Sequence, residues 1–228
     1  MGGSRAAGDL RLKFGTTIWN AGAGPLETRG AKNPETDALE VYQFFRTAGG
    51  GVTRGPRVGT FNYSHRHGHL HLGAFARYEL WSLGEAGRPR ERVALNDKVG
   101  FCLMDISPVD AGLPNAARAP RYAGCRADVQ SISVGYGDAY VAQLYEQDLD
   151  VSGLPDGTYA LVTTANPEAA LTETDYTDNT ASVRLRLEGD AVAVQAVTSF
   201  RGLAAARAPV GSSRSPGSQA ARTAGGVQ

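Results

Sequence analysis

A chain of 228 residues with 42% hydrophobic content is long enough to bury a full core, and it is expected to form one domain with tails. Its 23 basic and 23 acidic side chains cancel, which excludes a broad attraction to nucleic acid or to an anionic membrane surface. No run of about twenty apolar residues is present, so no helical membrane span is expected.

Residues 1–8 read as a flexible leader. The stretch Met1 to Asp9 has neither the apolar core nor the cleavage pattern of a secretory signal, so either export is absent or a signal was removed before this numbering begins. From Leu10 onward the pattern has period two. Leu10, Leu12 and Phe14 alternate with Arg11 and Lys13, and Leu39 and Val41 with Glu40 and Tyr42. Phe75, Arg77 and Glu79 alternate with Ala76, Tyr78 and Leu80, and Val183, Leu185 and Leu187 with Arg184 and Arg186. Such alternation with one polar face predicts half-buried antiparallel strands. Turn-forming clusters separate them: Asn20 to Pro25, Gly49 to Gly51, Gly84 to Pro89, Pro155-Asp156-Gly157 and Asp178-Asn179. The fold class is therefore all-β, an antiparallel β-sandwich with long loops and a single domain over residues 9–200. No segment shows sustained helical periodicity. From Arg201 to Gln228 the chain is mostly Ala, Gly, Ser and Pro with no acidic residue. That composition cannot bury enough apolar surface to order itself, so a disordered tail is expected over residues 201–228.

All four histidines, His65, His67, His69 and His71, fall in one run at alternating positions. In an extended strand they would share one face, with Arg66, Gly68 and Leu70 on the other. Residues two apart are then about 6.6 Å from each other, residues four apart about 13 Å, and the ends of the run about 20 Å. At most three can reach one ion unless the strand bends, and Gly68 and Gly73 offer places for a bend or bulge. Three neutral nitrogen donors with open positions suit Cu(II) or Zn(II), and copper stands highest in the divalent affinity order. The bland alternative is an exposed polar stretch that picks up metal adventitiously. Strand-like hydrophobic sequence immediately downstream argues against it.

Lysine is confined to Lys13, Lys32 and Lys98, against twenty arginines. The imbalance is a composition bias, and it leaves few lysines to consider for chemistry. Cys102 and Cys125 are neither spaced like a metal pair nor part of a redox motif. In an exported protein they would close a loop of about 24 residues, worth roughly 3 kcal/mol in the chain-entropy model. As free thiols they would be ordinary small buried residues.

Several segments carry a family resemblance. His67-Gly-His-Leu-His71, followed by Leu-Gly-Ala-Phe75-Ala-Arg-Tyr78-Glu79-Leu80, resembles the copper-binding strand of the lysyl oxidase family. Lys98-Val-Gly-Phe-Cys102-Leu-Met-Asp105 is similar to the family's cofactor-lysine segment, and Asp138-Ala-Tyr140 through Gln147-Asp-Leu-Asp150 to its cofactor-tyrosine segment. Pro155-Asp-Gly157-Thr-Tyr159, Asn166-Pro167 and Glu173-Thr-Asp175-Tyr176-Thr-Asp-Asn179 resemble its closing strands, and Leu10 to Asn20 its opening strand. The likeness runs in order over about residues 9 to 187.

What the resemblance implies is specific. His67, His69 and His71 would hold Cu(II), and Lys98 and Tyr140 would become lysine tyrosylquinone, because amino-acid side chains alone offer no adequate sink for the two electrons of an amine. Lys98 would need a lowered pKa to add to the oxidised ring as a free amine. The activity implied is oxidative deamination of peptidyl lysine or a small primary amine by molecular oxygen, releasing aldehyde, ammonia and hydrogen peroxide. No nucleic-acid partner or membrane span is expected, and the location implied is secreted or cell-surface, where a Cys102–Cys125 disulfide would form. The alternative is a metal-binding extracellular β-sandwich without oxidase activity. Two departures bear on function: the vertebrate members carry many more cysteines, and they have a histidine where this chain has Arg77. His65 lies outside the matched triple. Asp97 and Asp138 neighbour the two precursors, but neighbours on a strand face opposite sides, so neither is assigned as the general base.

Overall fold

Period-two patterning becomes antiparallel strands throughout the computed structural model, which describes residues 10–47 and 49–198 except for the side chains of Lys98, Val197 and Thr198. The expected leader and tail lie outside the described residues. In chain order the strands are β1 (Arg11–Lys13), β2 (Thr16–Trp19), β3 (Leu26–Lys32), β4 (Leu39–Arg46), β5 (Val52–Ser64), β6 (His69–Leu83) and β7 (Pro89–Phe101). They continue with β8 (Ser107–Pro108), β9 (Gln130–Ile132), β10 (Tyr136–Tyr140), β11 (Asp148–Asp150), β12 (Gly157–Ala165), β13 (Thr180–Glu188) and β14 (Ala191–Thr198). No α-helix occurs among the described residues, and a short 3-10 turn at Glu85–Gly87 makes the expected reversal between β6 and β7.

The large sheet has nine strands in the order β14-β13-β12-β6-β5-β4-β3-β9, with β7 also paired to β6. Strand β6 is its hub. Its first residues pair with β5, from Ser64↔His69 to Phe61↔Leu72. Its later residues pair with β12, from Ala165↔Ala76 to Tyr159↔Ser82, and β7 runs along the opposite edge. Two smaller sheets, β1-β11 and β2-β10-β8, complete the set.

One hydrophobic cluster joins the sheets, which makes the architecture the expected sandwich. Val41, Phe61, Leu72, Phe75, Tyr78, Leu80 and Phe101 of the large sheet pack with Leu12, Ile18, Tyr136, Tyr140 and Leu149 of the small ones. Each large side chain so buried contributes about 1.5–3 kcal/mol before entropy is counted. The simple alternation expected along β6 does not hold. Phe75 and Ala76 are both buried, as is Glu79, because the register with β7 slips on either side of Ala76 and Ala74 adopts φ 54°. Such a bulge re-aims the side chains that follow it. Glu79 is held by Arg92, whose Nη1 donates to Oε1 at 3.0 Å.

The segment between β8 and β9 has no regular structure and is fixed by two other devices. Cys102 and Cys125 form a disulfide. Asp105, 5% exposed, accepts hydrogen bonds from the backbone N–H groups of Arg121, Tyr122 and Ser133 and from the Ser133 hydroxyl. Saturating a buried carboxylate with donors in this way makes its burial tolerable.

Candidate metal centre

The histidine run does not form a single strand. Residues 65–68 make a turn and β6 begins at His69. Gly68 N–H donates to Ser64 O at 2.8 Å, His67 N–H donates to Ser64 Oγ at 3.2 Å, and Gly68 takes φ 74°, a conformation glycine adopts without penalty. The turn removes the distance limit that an extended strand imposes. It folds His67 back over His71, so that His67 Nδ1 and His71 Nε2 are 3.1 Å apart.

His69 and His71 project from the same side of β6, with ring centroids 4.8 Å apart. One ring nitrogen from each of His67, His69 and His71 lies within 4.8 Å of the others. The Nε2 atoms of His67 and His69 are buried and have no hydrogen-bond partner. Burial, helped by the charges of His67 and His69, pushes His71 down to about 4; burial and the charge of His67 lower His69 as well. Both imidazoles are thus neutral at pH 7 with lone pairs available, as metal ligation requires. The donor set fits a copper(II) or zinc(II) ion. Of the two triples open to the sequence, the later one converges. His65 is exposed and meets Tyr63 edge-on at 5.1 Å.

Gly100 on β7 keeps this corner open. A Cβ built there would stand 3.0 Å from His71 Cβ and 3.3 Å from its Nδ1, so a side chain would displace the ring.

Tyr140 lies beside the triad. It is 7% exposed, with its ring centroid 6.1 Å from that of His67 and 6.2 Å from that of His71. Phe101 covers the ring at 4.1 Å, and the N–H of Cys102 donates to its hydroxyl at 3.0 Å. Burial, chiefly, raises the Tyr140 phenol far above its ordinary value. The backbone of Lys98 belongs to β7, the strand that supplies Phe101; its side chain lies outside the described residues.

Asp138 is expected on the side opposite Tyr140, but it stands two positions from Tyr140 on β10, and period two puts both on one face. The register confirms it: Tyr140 is opposite Thr16 and Asp138 opposite Ile18, and Asp138 is 2% exposed with Oδ2 unpartnered. Burial pushes its carboxyl up to about 8. Nearby, Gln147 Nε2 donates to the Tyr78 hydroxyl at 2.7 Å, and burial lifts that phenol to about 12. Asp97, by contrast, is exposed. Arg77 is ion-paired with Glu168.

The pattern of the family described as lysyl oxidase matches residues 50–197. Protein-lysine 6-oxidase of Rattus norvegicus is 32% identical over 121 residues, covering 53% of this chain and 28% of the rat protein. The Homo sapiens protein of the same name is 33% identical over 124 residues, covering 54% of this chain and 27% of its own. Lysyl oxidase homolog 2A of Danio rerio is 31% identical over 138 residues, or 59% of this chain and 17% of the fish protein. The chain thus spans less than a third of the length of these relatives.

Proposed function

Because the chain belongs to the lysyl oxidase family, we propose that it is a copper- and quinone-dependent amine oxidase that converts primary amines, foremost peptidyl lysine, to aldehydes with release of ammonia and hydrogen peroxide. The observation that supports this reading most directly is the buried Tyr140 ring, whose centroid lies 6.1 and 6.2 Å from those of two imidazoles of a convergent triad. Copper bound by His67, His69 and His71 would supply the oxidation that joins Tyr140 to Lys98, and the resulting quinone would accept the two electrons of the amine.

The chain's own groups prepare that chemistry. Phe101 and the Cys102 N–H hold the tyrosine ring in one orientation, and the surrounding core excludes water from it. Asp138 is the buried carboxyl on the ring's strand face, and its raised pKa of about 8 suits it to take up and return a proton near neutral pH. Arg77 is engaged with Glu168, and the proton-transfer duty is given to Asp138. The Cys102–Cys125 disulfide favours a secreted or cell-surface location, since such bonds persist in oxidising compartments.

Aerobic copper loading followed by intact-mass and peptide analysis tests the reading. A Lys98–Tyr140 cross-link together with amine-dependent peroxide formation is the expected result. Stoichiometric copper with neither would leave a metal-binding β-sandwich.

A further inference from the structure

Behind the imidazole triad lies a second set of donor atoms. A ring nitrogen of His69 and the Sγ atoms of Cys102 and Cys125 lie within 4.8 Å of one another. Met104 Sδ stands 3.7 Å from Cys102 Sγ and 3.9 Å from Cys125 Sγ. Cys102 is 1% exposed, and Nε2 of His69 is shielded and unpartnered. The disulfide alone accounts for the proximity of the two cysteine sulfurs. It does not account for a thioether and an imidazole each standing beside the same pair of sulfurs.

Thiolate and thioether sulfur select copper(I) over harder divalent ions, and imidazole is compatible with both. We propose that, when the Cys102–Cys125 bond is reduced, Cys102, Cys125, Met104 and His69 form a binding site for copper(I) that closes when the disulfide forms.

The chemistry balances with a dithiol as reductant. Its two electrons cleave the S–S bond, its two hydrogens end on Cys102 and Cys125, and it leaves as a disulfide. Copper(I) then displaces those two thiol protons without changing oxidation state. Closure runs by thiol–disulfide exchange with an oxidised disulfide, which accepts the two electrons and withdraws both sulfur donors from the metal. His69 belongs to both donor sets. An ion held by the sulfurs is therefore one imidazole away from His67 and His71, and losing the sulfurs leaves it beside the triad. None of this requires amine oxidation.

The test uses the full chain under anaerobic conditions, with the reductant removed by desalting and copper(I) supplied as its bicinchoninate complex. The dithiol-reduced protein is expected to withdraw one equivalent of copper(I) that the disulfide-closed protein leaves with the chelator. Met104→Leu should weaken that binding at least tenfold in the reduced protein and change nothing in the closed one, and His67→Ala should leave the extra equivalent in place. A Cys102→Ala/Cys125→Ala double variant should behave as the closed protein does. Equal copper(I) uptake by reduced and closed protein would overturn the proposal. So would uptake by the reduced protein that ignores both Met104→Leu and His69→Ala, the behaviour of two thiols in an unfolded chain.

Discussion

The backbone N–H of Cys102 donates to the hydroxyl of Tyr140 at 3.0 Å, so one residue both closes the disulfide and fixes the ring proposed to become the cofactor. Removing the disulfide should therefore affect stability and ring placement together. A Cys102→Ala/Cys125→Ala variant, which opens a loop of sequence separation 23, is expected to lose about 3 kcal/mol of unfolding free energy in urea titrations. Cross-link formation after copper loading should slow in the same variant, read by peptide mass.

The triad is expected to discriminate sharply among the four histidines. His71→Ala should abolish stoichiometric copper, measured by metal analysis after dialysis, whereas His65→Ala should retain it, because the His65 ring faces Tyr63. Gly100→Ala tests the packing behind the site. The added methyl would meet His71 Cβ at 3.0 Å, and overpacking of this kind costs about 1–3 kcal/mol. Copper affinity should fall about tenfold while the fold persists.

Asp138 makes the pH prediction. Its carboxyl is ordinarily half-protonated near 3.8 and is raised to about 8 by burial, so the folded state binds this proton more tightly than the unfolded chain does. The stabilisation is complete below about pH 4 and is lost as pH rises toward 8, by an amount on the order of several kcal/mol. Asp138→Asn keeps the shape and removes the charge, so its unfolding free energy should decline less than that of the natural protein between pH 5 and 9. Amine turnover should drop by about 100-fold or more in the same variant, with copper content and cross-link unchanged. A variant with full turnover would remove Asp138 from the proton-transfer role.

Lys98→Arg should retain folding and copper but form no cross-link, since guanidinium stays charged and cannot add as a free amine. Tyr140→Phe should do the same, and it should also release the Cys102 N–H from its partner. Quinone absorbance and peroxide release decide both cases, and full activity in either variant would refute the cofactor assignment.

The strands that were legible in the sequence were those with one wet face, such as β4 and β13, whose burial alternates along much of their length. Strand β5 was not, because most of its residues are exposed and Phe61 and Val58 are its only buried side chains. The histidine run was legible as a cluster but not as a shape. Alternation said strand, and two hydrogen bonds to Ser64 made a turn instead. Asp138 was written in the sequence all along, two positions from Tyr140, but only the fold shows that its carboxyl is buried there. The sulfur cluster around Met104 had no sequence signal, since the loop that returns Cys125 to Cys102 is irregular.

Only two of the three imidazoles are anchored in the sheet. His69 and His71 form a two-pronged hook on a strand, and His67 is a third arm on a turn attached to Ser64 through two hydrogen bonds. For an ion bound at the triad, capture and release would then be separable: the hook would govern encounter, and the latch at Ser64 residence time. Ser64→Ala should leave the hook and the Gly68 N–H bond to Ser64 O in place while removing the hydroxyl contact to the His67 N–H, so that the lifetime of a bound ion would be shortened through one hydroxyl outside the coordination sphere.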